Sequence, residues 1–274
     1  MRLLVLSANE PRQGYLIRRL AGEHEIAGVI VDDRYGPSDR LRRLWTASDR
    51  RPARLCRNIL LKIRLAADER RSRAVERRHF GGFPKPSDMT GVPVLLTQSL
   101  NSDETVAAAR AHNPDVTVVF GTRLVKEPLA RVAPRGTVNL HTGLSPYYRG
   151  GHSTFFCLYN DEPHAIGATV HWIDPGVDSG DILLTARPPL EPGDTVASIE
   201  CRLVRLGTEL MREALRRIRA DTATGVRQWT EGRLYCSRDF TLERRLQLLR
   251  RLPRGLPADA ARRAAEAPEV RLVS

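Results

Sequence analysis

The sequence lacks the features that mark metal-binding, secreted or membrane-spanning proteins. Its four cysteines are widely spaced and form no C-x-x-C pair, which argues against a zinc site or a redox pair. It has no apolar run of about 18 residues, the length that a bilayer span needs. Its first residues, MRLLVLSANE, lack the small-residue cleavage site of a signal peptide. We therefore expect a cytoplasmic protein with reduced thiols, attached at most peripherally to a membrane.

Glycine is missing from the turn that follows the first predicted strand. Residues 3–6 are apolar and predict that strand, and residues 7–11 read Ser-Ala-Asn-Glu-Pro. A phosphate cradle at such a turn needs closely spaced glycines, because backbone N–H groups must approach the anion. The sequence therefore predicts no phosphate site here.

Basic residues exceed acidic ones, giving a formal net charge of +12 that is unevenly distributed. Residues 34–78 hold 15 basic and 5 acidic residues, and residues 233–274 hold 10 and 5. In the first segment Leu55, Ile59 and Ile63 recur at helical spacing among arginines, which predicts one or two basic amphipathic helices. These helices either pack on the domain as a solvated hairpin or bind an anionic partner, which is an anionic membrane surface or RNA.

Polar residues follow one short strand and recur in a later turn. Residues 137–140 predict a strand that directs Asn139 and His141 to one face, since side chains alternate along a strand. The loop after it lies at the carboxyl end of the strand, the edge where open α/β sheets bind ligands. Asp178 lies in a glycine-rich turn further on. Together these three residues suit acyl transfer: the amide can stabilise an oxyanion, the imidazole can exchange protons, and the carboxylate can orient the imidazole. Each residue alone also has a structural explanation.

The spacing of these residues resembles a known family. The pattern N-x-H-x-x-x-x-P-x-x-R-G, followed by V-D-S-G-D-I-L, is similar to the core of the folate-dependent formyltransferases, which include glycinamide ribonucleotide, methionyl-tRNA and amino-sugar formyltransferases. The resemblance covers roughly residues 1–33 and 90–232 and is densest between Gly121 and Leu184. It implies an α/β fold with a Rossmann-like, open and mostly parallel twisted sheet that has helices on both faces. This chain would add a basic helical insertion and a short C-terminal helical extension.

The resemblance also implies a chemistry and a set of site residues. The donor would be 10-formyltetrahydrofolate, the acceptor a primary amine, and no metal would be needed. The residues implied to be catalytic are Asn139, His141 and Asp178. Those implied to bind the folate are Arg123, Leu124, Lys126, Gly180 and Asp181. Those implied to bind the acceptor are Tyr148, Arg149, Gly150 and His152.

The acceptor is the least determined part of this interpretation. Two stretches depart from the family's usual residues where the amine should lie: Gly143-Leu144-Ser145-Pro146 and Gly151-His152-Ser153. The turn at residues 7–11 argues against glycinamide ribonucleotide. The 42 residues after Gly232 are too few for the barrel-like domain that methionyl-tRNA enzymes add. We therefore expect a nucleotide-linked amino sugar or a natural-product precursor.

Other functions stay open. A methionyl-tRNA formyltransferase-like enzyme and a hydrolase that releases formate from the same folate are alternatives within the family. A basic RNA- or membrane-binding protein on the same scaffold is the alternative outside enzymes, and the intact trio weighs against it.

The chain divides by composition into two predicted parts. We predict a catalytic domain over residues 1–232, interrupted by a basic helical insertion and linker at 34–88, and a short basic extension at 233–274. Apolar periodicity predicts a long helix over 195–220 and a Leu/Arg helix over 240–252, with a loosely ordered tail after it.

Overall fold

Strands and helices alternate along most of the chain, as the sequence predicts for an α/β protein. The structure is a computed structural model that describes residues 1–33, 51–267 and 270–274, so the first part of the predicted insertion lies outside the described residues. The strands are β1 Arg2–Ser7, β2 Glu25–Asp32, β3 Val94–Thr97, β4 Val116–Phe120, β5 Thr137–His141, β6 Tyr148–Gly150, β7 Ala168–Trp172, β8 Ile182–Ala186 and β9 Arg233–Tyr235. The helices are α1 Pro11–Ala21, α2 Pro52–Phe80, α3 Asp103–Ala111, α4 Ser153–Tyr159, α5 Val196–Arg219, α6 Leu242–Arg251 and α7 Ala258–Glu266.

Seven of these strands form one sheet in the order β3-β2-β1-β4-β5-β7-β8, and β6 pairs separately with β9. Five neighbouring strands, β3, β2, β1, β4 and β5, run parallel to one another. Strands β7 and β8 extend the sheet by antiparallel pairing. Parallel neighbours need long crossover connections, which is why helices follow β1 and β3. The predicted fold class, an open and mostly parallel sheet with helices on both faces, is confirmed.

Apolar clusters cover both faces of the sheet. The residues of β1 between its ends are all apolar and buried, because this strand lies inside the sheet. On one face α1 and α5 pack through residues such as Leu16 and Met211. On the other face α3 packs through Val106 and Ala109. Because β4 and β5 are parallel neighbours, the loops that follow them meet at the carboxyl edge of the sheet.

The described part of the basic insertion forms one long helix, α2, which packs against α5 and α6. Leu65 and Phe80 of this helix are buried. Of the apolar stripe that the sequence marks, Leu55 is half-buried, while Ile59 and Ile63 are exposed. Most of that stripe therefore faces away from the domain. In the described ranges, none of the helices combines the length and hydropathy that crossing a membrane requires.

Residues after Gly232 pack on the rest of the protein. Helices α6 and α7 join α4 and α5 in a further apolar cluster, through residues such as Leu248 and Ala261. Beyond α7, the Thr185 N–H of β8 donates to the Val273 carbonyl over 2.8 Å. The expectation of a loosely ordered tail is wrong for these residues, because the alanines of α7 allow close packing that composition does not reveal. The division at residue 232 stays a prediction, since both parts share this cluster.

Candidate active site

The three residues of the predicted trio meet at the carboxyl edge of the sheet. Asn139 and His141 lie on β5, and Asp178 lies in the turn that joins β7 to β8. The Asn139 Nδ2 donates to Asp178 Oδ1 over 3.1 Å, and the His141 Nδ1 lies 3.3 Å from Asp178 Oδ2. Side chains two residues apart leave a strand on one face, so one carboxylate in the neighbouring turn contacts both. The structure thus brings these residues together, and their catalytic role stays a prediction.

His141 is buried and has an oxygen acceptor beside each ring nitrogen. Its Nδ1 faces Asp178, and its Nε2 lies 3.0 Å from the Tyr148 carbonyl oxygen and 3.4 Å from Ser153 Oγ. The Tyr148 carbonyl oxygen only accepts hydrogen bonds, so Nε2 carries the hydrogen of that contact. Nδ1 lies in electrostatic contact with the Asp178 carboxylate.

Gly143 leaves the space that this ring occupies. A Cβ atom at position 143 would lie 2.1 Å from His141 Nε2 and 2.6 Å from Ser153 Oγ. No side chain fits at such distances, so any other residue would displace the imidazole.

Asp178 accepts hydrogen bonds from several directions while its side chain is only 15% exposed. The Gly150 N–H donates to its Oδ2 over 2.8 Å. Burial by itself would raise the pKa of Asp178, but the neighbouring His141 and His171 rings and the Gly150 N–H stabilise the carboxylate. The net effect lowers the pKa well below its ordinary value. Asp178 is therefore an anion at neutral pH.

His171 belongs to the same cluster, and the sequence analysis missed it. It lies on β7 directly opposite Asn139, is 2% exposed, and places Nε2 3.1 Å from Asn139 Nδ2 and 3.4 Å from Asp178 Oδ1. Its Nδ1 donates to the Trp172 carbonyl over 2.8 Å, so Nε2 of the neutral ring is an acceptor for Asn139. The sequence carries no signal for this pairing, because it depends on the register of two strands.

Gln228 is the second residue that the sequence analysis missed. Its side-chain amide donates to the carbonyls of Asp178 and Gly180 over 2.8 and 2.9 Å. The Gln228 side chain therefore holds the backbone of the turn at two positions, Asp178 and Gly180. Fifty residues separate Gln228 from Asp178 in the chain, and no local pattern marks the contact.

The predicted folate loop follows β4, at the same edge of the sheet. The Arg123 guanidinium bonds the Asp32 carboxylate, with 3.0 Å between Nε and Oδ1. Asn101 holds the loop at two points, donating to the Leu124 carbonyl over 2.9 Å and accepting from the Lys126 N–H over 2.8 Å. The Leu124 side chain is exposed. This loop is thus rigidly supported and presents an apolar side chain to solvent.

The other two predicted folate residues lie in the turn that carries Asp178. Gly180 is buried, and a Cβ there would lie 1.8 Å from the Trp172 carbonyl oxygen, so only glycine fits. Asp181 is exposed. Val177, just before Asp178, is an exposed apolar side chain. Apolar surface therefore occurs on both the turn and the loop after β4, as a flat ring would require.

The residues predicted to bind the acceptor differ in whether their side chain or only their backbone reaches the site. Tyr148 differs from its predicted role: its side chain is buried, its hydroxyl donates to Glu162, and burial raises its pKa. Only its backbone carbonyl reaches the site, as the acceptor for His141. Arg149 has a buried Nε without a hydrogen-bond partner in the described residues. Gly150 contributes its N–H to Asp178.

His152 lines a cavity of about 650 Å³ between α2, α5 and α6. Its ring stacks on Phe240 with 3.7 Å between centroids. Burial, together with the positive charges of Arg245 and Arg12, lowers the pKa of His152 to about 4. The ring is therefore neutral at pH 7, and the structure does not bring it into contact with Asn139, His141 or Asp178. In the described part of the chain, no group of three or more His, Cys, Asp or Glu side chains is arranged to hold a metal ion.

Sequence comparison places this site within a family. A family model described as formyl transferase matches residues 70–215, more than half of the chain. A methionyl-tRNA formyltransferase from Symbiobacterium thermophilum is 33% identical over 166 residues, which cover 58% of this chain and 50% of that protein. The chain spans about half the length of the curated relatives it matches.

Solved structures show the same fold over a larger share of the chain. A sugar N-formyltransferase from a Shewanella species covers 92% of this chain and 88% of its own, with a TM-score of 0.54 and 20% identity. The formyltransferase PseJ from Anoxybacillus kamchatkensis covers 91% and 92%, with a TM-score of 0.51 and 17% identity. At these identities the likeness is one of fold. The matching family model covers the region from β4 to β8, which holds the trio, and the chain therefore belongs to the formyl transferase family.

Proposed function

We propose that this chain is an N-formyltransferase that moves a formyl group from 10-formyltetrahydrofolate to a primary amine of a small molecule. The observation that carries the proposal is the Asp178 carboxylate, which contacts the Asn139 amide at 3.1 Å and the His141 ring at 3.3 Å. Membership of the formyl transferase family supports the assignment of formyl as the transferred group. The position at the carboxyl edge of the sheet supports a ligand site.

The proposed roles follow from what each side chain can donate or accept. The Asn139 amide and the His141 Nε2–H are proposed to exchange a present acceptor for a carbonyl oxygen that gains negative charge as a neutral amine adds to the carbon. Asp178 orients His141 and accepts the proton that the amine nitrogen loses, directly or through a water molecule. Its low pKa keeps it in the anionic form that this step needs. When bound, the folate supplies the activated formyl carbonyl. The bond from the formyl carbon to the folate nitrogen then breaks, and the proton released by the amine passes to that departing nitrogen.

The donor site is proposed at the loop after β4 and the turn that carries Asp178. Asn101 occupies the Leu124 carbonyl and the Lys126 N–H, whereas the Leu124 N–H makes no hydrogen bond to a described residue. That N–H is suited to a pterin ring, whose edge carries acceptors and whose faces need apolar contacts. Leu124 and Val177 supply such contacts, since both are exposed at this edge. The residues present therefore fit the folate.

The acceptor is proposed to be a nucleotide-linked amino sugar. The turn at residues 7–11 has Glu10 at the start of α1, and the Asn9 carboxamide accepts from the Ser87 N–H over 3.1 Å. A carboxylate at a helix N-terminus disfavours a second anion there, which argues against a ribonucleotide phosphate at this turn. PseJ, which has the same fold, was solved with UDP-4,6-dideoxy-4-formamido-L-AltNAc and tetrahydrofolate. That ligand is of the proposed product class.

Formylation of methionyl-tRNA is the second candidate, because the curated relatives at 33% to 36% identity carry that activity in their names. The experiment that tests both incubates the protein with 10-formyltetrahydrofolate and a panel of acceptors: nucleotide-linked amino sugars, glycinamide ribonucleotide and methionyl-tRNA. Folate absorbance reports turnover and mass spectrometry reports the product.

We expect an N-formylated amino sugar and no formate in excess of it. Turnover that yields formate with every acceptor would instead support the hydrolase, and efficient formylation of methionyl-tRNA would replace the amino-sugar proposal. A folded protein that binds 10-formyltetrahydrofolate and shows no turnover with or without an acceptor would contradict the enzyme proposal.

A further inference from the structure

The N-terminal half of α2 presents an apolar stripe to solvent. The stripe consists of Cys56, Ile59, Leu60 and Ile63, which recur at positions i, i+3, i+4 and i+7 and so share one side of the helix. Ile59 is 43% exposed, Leu60 61% and Ile63 66%, and Cys56 is also exposed. The helix packs on the protein through a different side, where Leu65 is buried.

This stripe is a concentration of exposed apolar surface rather than a scatter of single residues. The other exposed large apolar side chains of the described residues do not recur at helical spacing: Leu96, Leu124, Val177, Leu234 and Leu272. Isolated apolar residues on a surface need no explanation, whereas adjacent ones at helical spacing mark an interaction site.

Positive charge borders the stripe on both sides. At about 100° per residue, Lys62 and Arg64 lie on opposite flanks of the line through Ile59, Leu60 and Ile63. Both are exposed, and neither makes an ion pair or hydrogen bond to any described residue. Residues 51–67 hold five basic side chains and no acidic one. The charges of Lys62 and Arg64 are therefore available to a partner.

We propose that α2 docks this protein on an anionic lipid bilayer, with the apolar stripe inserted among the acyl chains and the flanking cations at the headgroups. An apolar strip edged by Lys and Arg is the pattern of helices that lie in the plane of a membrane interface. Basic residues near an anionic leaflet add electrostatic attraction that fades with salt. The proposal is independent of which amine the enzyme formylates.

Other occupants fit the surface less well. RNA binding relies on phosphate contacts and on aromatic side chains for stacking, and residues 51–67 contain no aromatic residue and place aliphatic side chains at the centre of the surface. A second copy of this chain would bring two sets of like charges together, with a net charge of +12 on each copy. An anionic bilayer satisfies the apolar and the cationic parts of the surface at the same time.

The cysteines offer a direct test. Cys56 lies in the stripe, Cys236 is exposed elsewhere, and the remaining two are buried. The full-length Cys236→Ser variant, labelled at Cys56 with a polarity-sensitive fluorophore, reports the stripe, and the Cys56→Ser variant labelled at Cys236 is its matched control. With phosphatidylglycerol-containing vesicles we expect a blue shift at Cys56, quenched by lipids that carry a quencher on the acyl chain, and no shift at Cys236. Phosphatidylcholine vesicles should give little shift.

Two substitution sets separate the apolar and the electrostatic contributions. Ile59→Ser/Leu60→Ser/Ile63→Ser should abolish co-sedimentation with anionic vesicles, and Lys62→Gln/Arg64→Gln should weaken it about tenfold at low salt. The control Arg110→Gln/Arg219→Gln removes the same charge from two other exposed positions and should bind as the parent does. Thermal unfolding and turnover establish that each variant is folded.

Several outcomes would overturn the proposal. One is an unchanged spectrum at Cys56 with anionic vesicles, and another is an equal shift at Cys236. Loss of RNA binding or of a dimer in the stripe variant, without any lipid binding by the parent, would assign the surface to those partners instead.

Discussion

The ring of His171 and the amide of Asn139 lie opposite each other in the antiparallel ladder between β5 and β7, with 3.1 Å between Nε2 and Nδ2. The same amide nitrogen donates to Asp178, so both of its hydrogens have acceptors in this arrangement. A substrate oxygen that accepts from Asn139 must therefore take the place of one of these two acceptors.

His171 should act as a positioning residue whose loss changes the pH profile. His171→Leu removes one of the neighbours that lower the pKa of Asp178, so the pKa of Asp178 rises and the acid limb of the kcat profile moves to higher pH. We expect kcat to fall more than KM changes, with partial recovery in His171→Gln. A lower kcat with an unshifted acid limb would mean that His171 only fills space.

The trio variants test the chemistry directly. Asn139→Ala, His141→Ala and Asp178→Ala should each lower turnover about a hundredfold or more, because each removes an oxyanion donor or a proton acceptor. His24→Ala is the matched control: His24 is equally enclosed, and neither of its ring nitrogens makes a hydrogen bond to a described residue. Near-normal turnover in folded Asp178→Ala would remove the basis of the proposed mechanism.

Substitution of Gly143 should lower turnover through a displacement of His141. In Gly143→Ala the new Cβ would stand 2.1 Å from the imidazole, and the ring must move. Because a displacement of about 1 Å at a catalytic group can cost about two orders of magnitude in rate, we expect turnover to fall by about tenfold to a hundredfold. Gly151→Ala provides the comparison, since a Cβ there meets nothing within 4 Å. Equal turnover in the two variants would argue against a required His141 position.

Gln228 should matter for the turn rather than for the chemical step. Gln228→Met keeps the size of the side chain and removes the donors to the Asp178 and Gly180 carbonyls. We expect a loss of about 1–3 kcal/mol in the free energy of unfolding and a higher KM for the folate, with a smaller change in kcat. Gln98→Met, at an exposed glutamine whose side chain makes no hydrogen bond to a described residue, is the control. Matching denaturation curves for the two variants would contradict this role.

Asp178 should also contribute to stability in a pH-dependent way. Its pKa in the folded protein lies below its ordinary value of 3.8. The unfolded chain therefore binds a proton more readily, and the contribution is complete above that value and lost as pH falls through the lower, folded pKa. Chemical denaturation of the parent and of Asp178→Asn at a series of pH values should give a stability difference that shrinks as pH falls below about 4. A difference that stays constant would show that the carboxylate charge contributes nothing.

The sequence by itself determined the first strand and the positions of the trio. The apolar run at residues 3–6 lies in the strand Arg2–Ser7, because a strand inside the sheet needs apolar residues on both of its buried faces. The spacing of Asn139 and His141 placed both side chains on one face, since alternation along a strand is a local property. The long helix Val196–Arg219 likewise followed from its apolar periodicity.

Tertiary structure alone decided the contacts between residues that are distant along the chain. His171 reaches Asn139 only because β7 pairs with β5 in one register, and Gln228 supports a turn fifty residues away. Tyr148 and His152 are residue types that often bind ligands. In the structure the Tyr148 ring packs against Tyr235 and the His152 ring against Phe240, and neither ring contacts the trio. The outward direction of the Ile59–Ile63 stripe was also undetermined, because periodicity defines a face of a helix and only the neighbouring elements decide whether that face is covered.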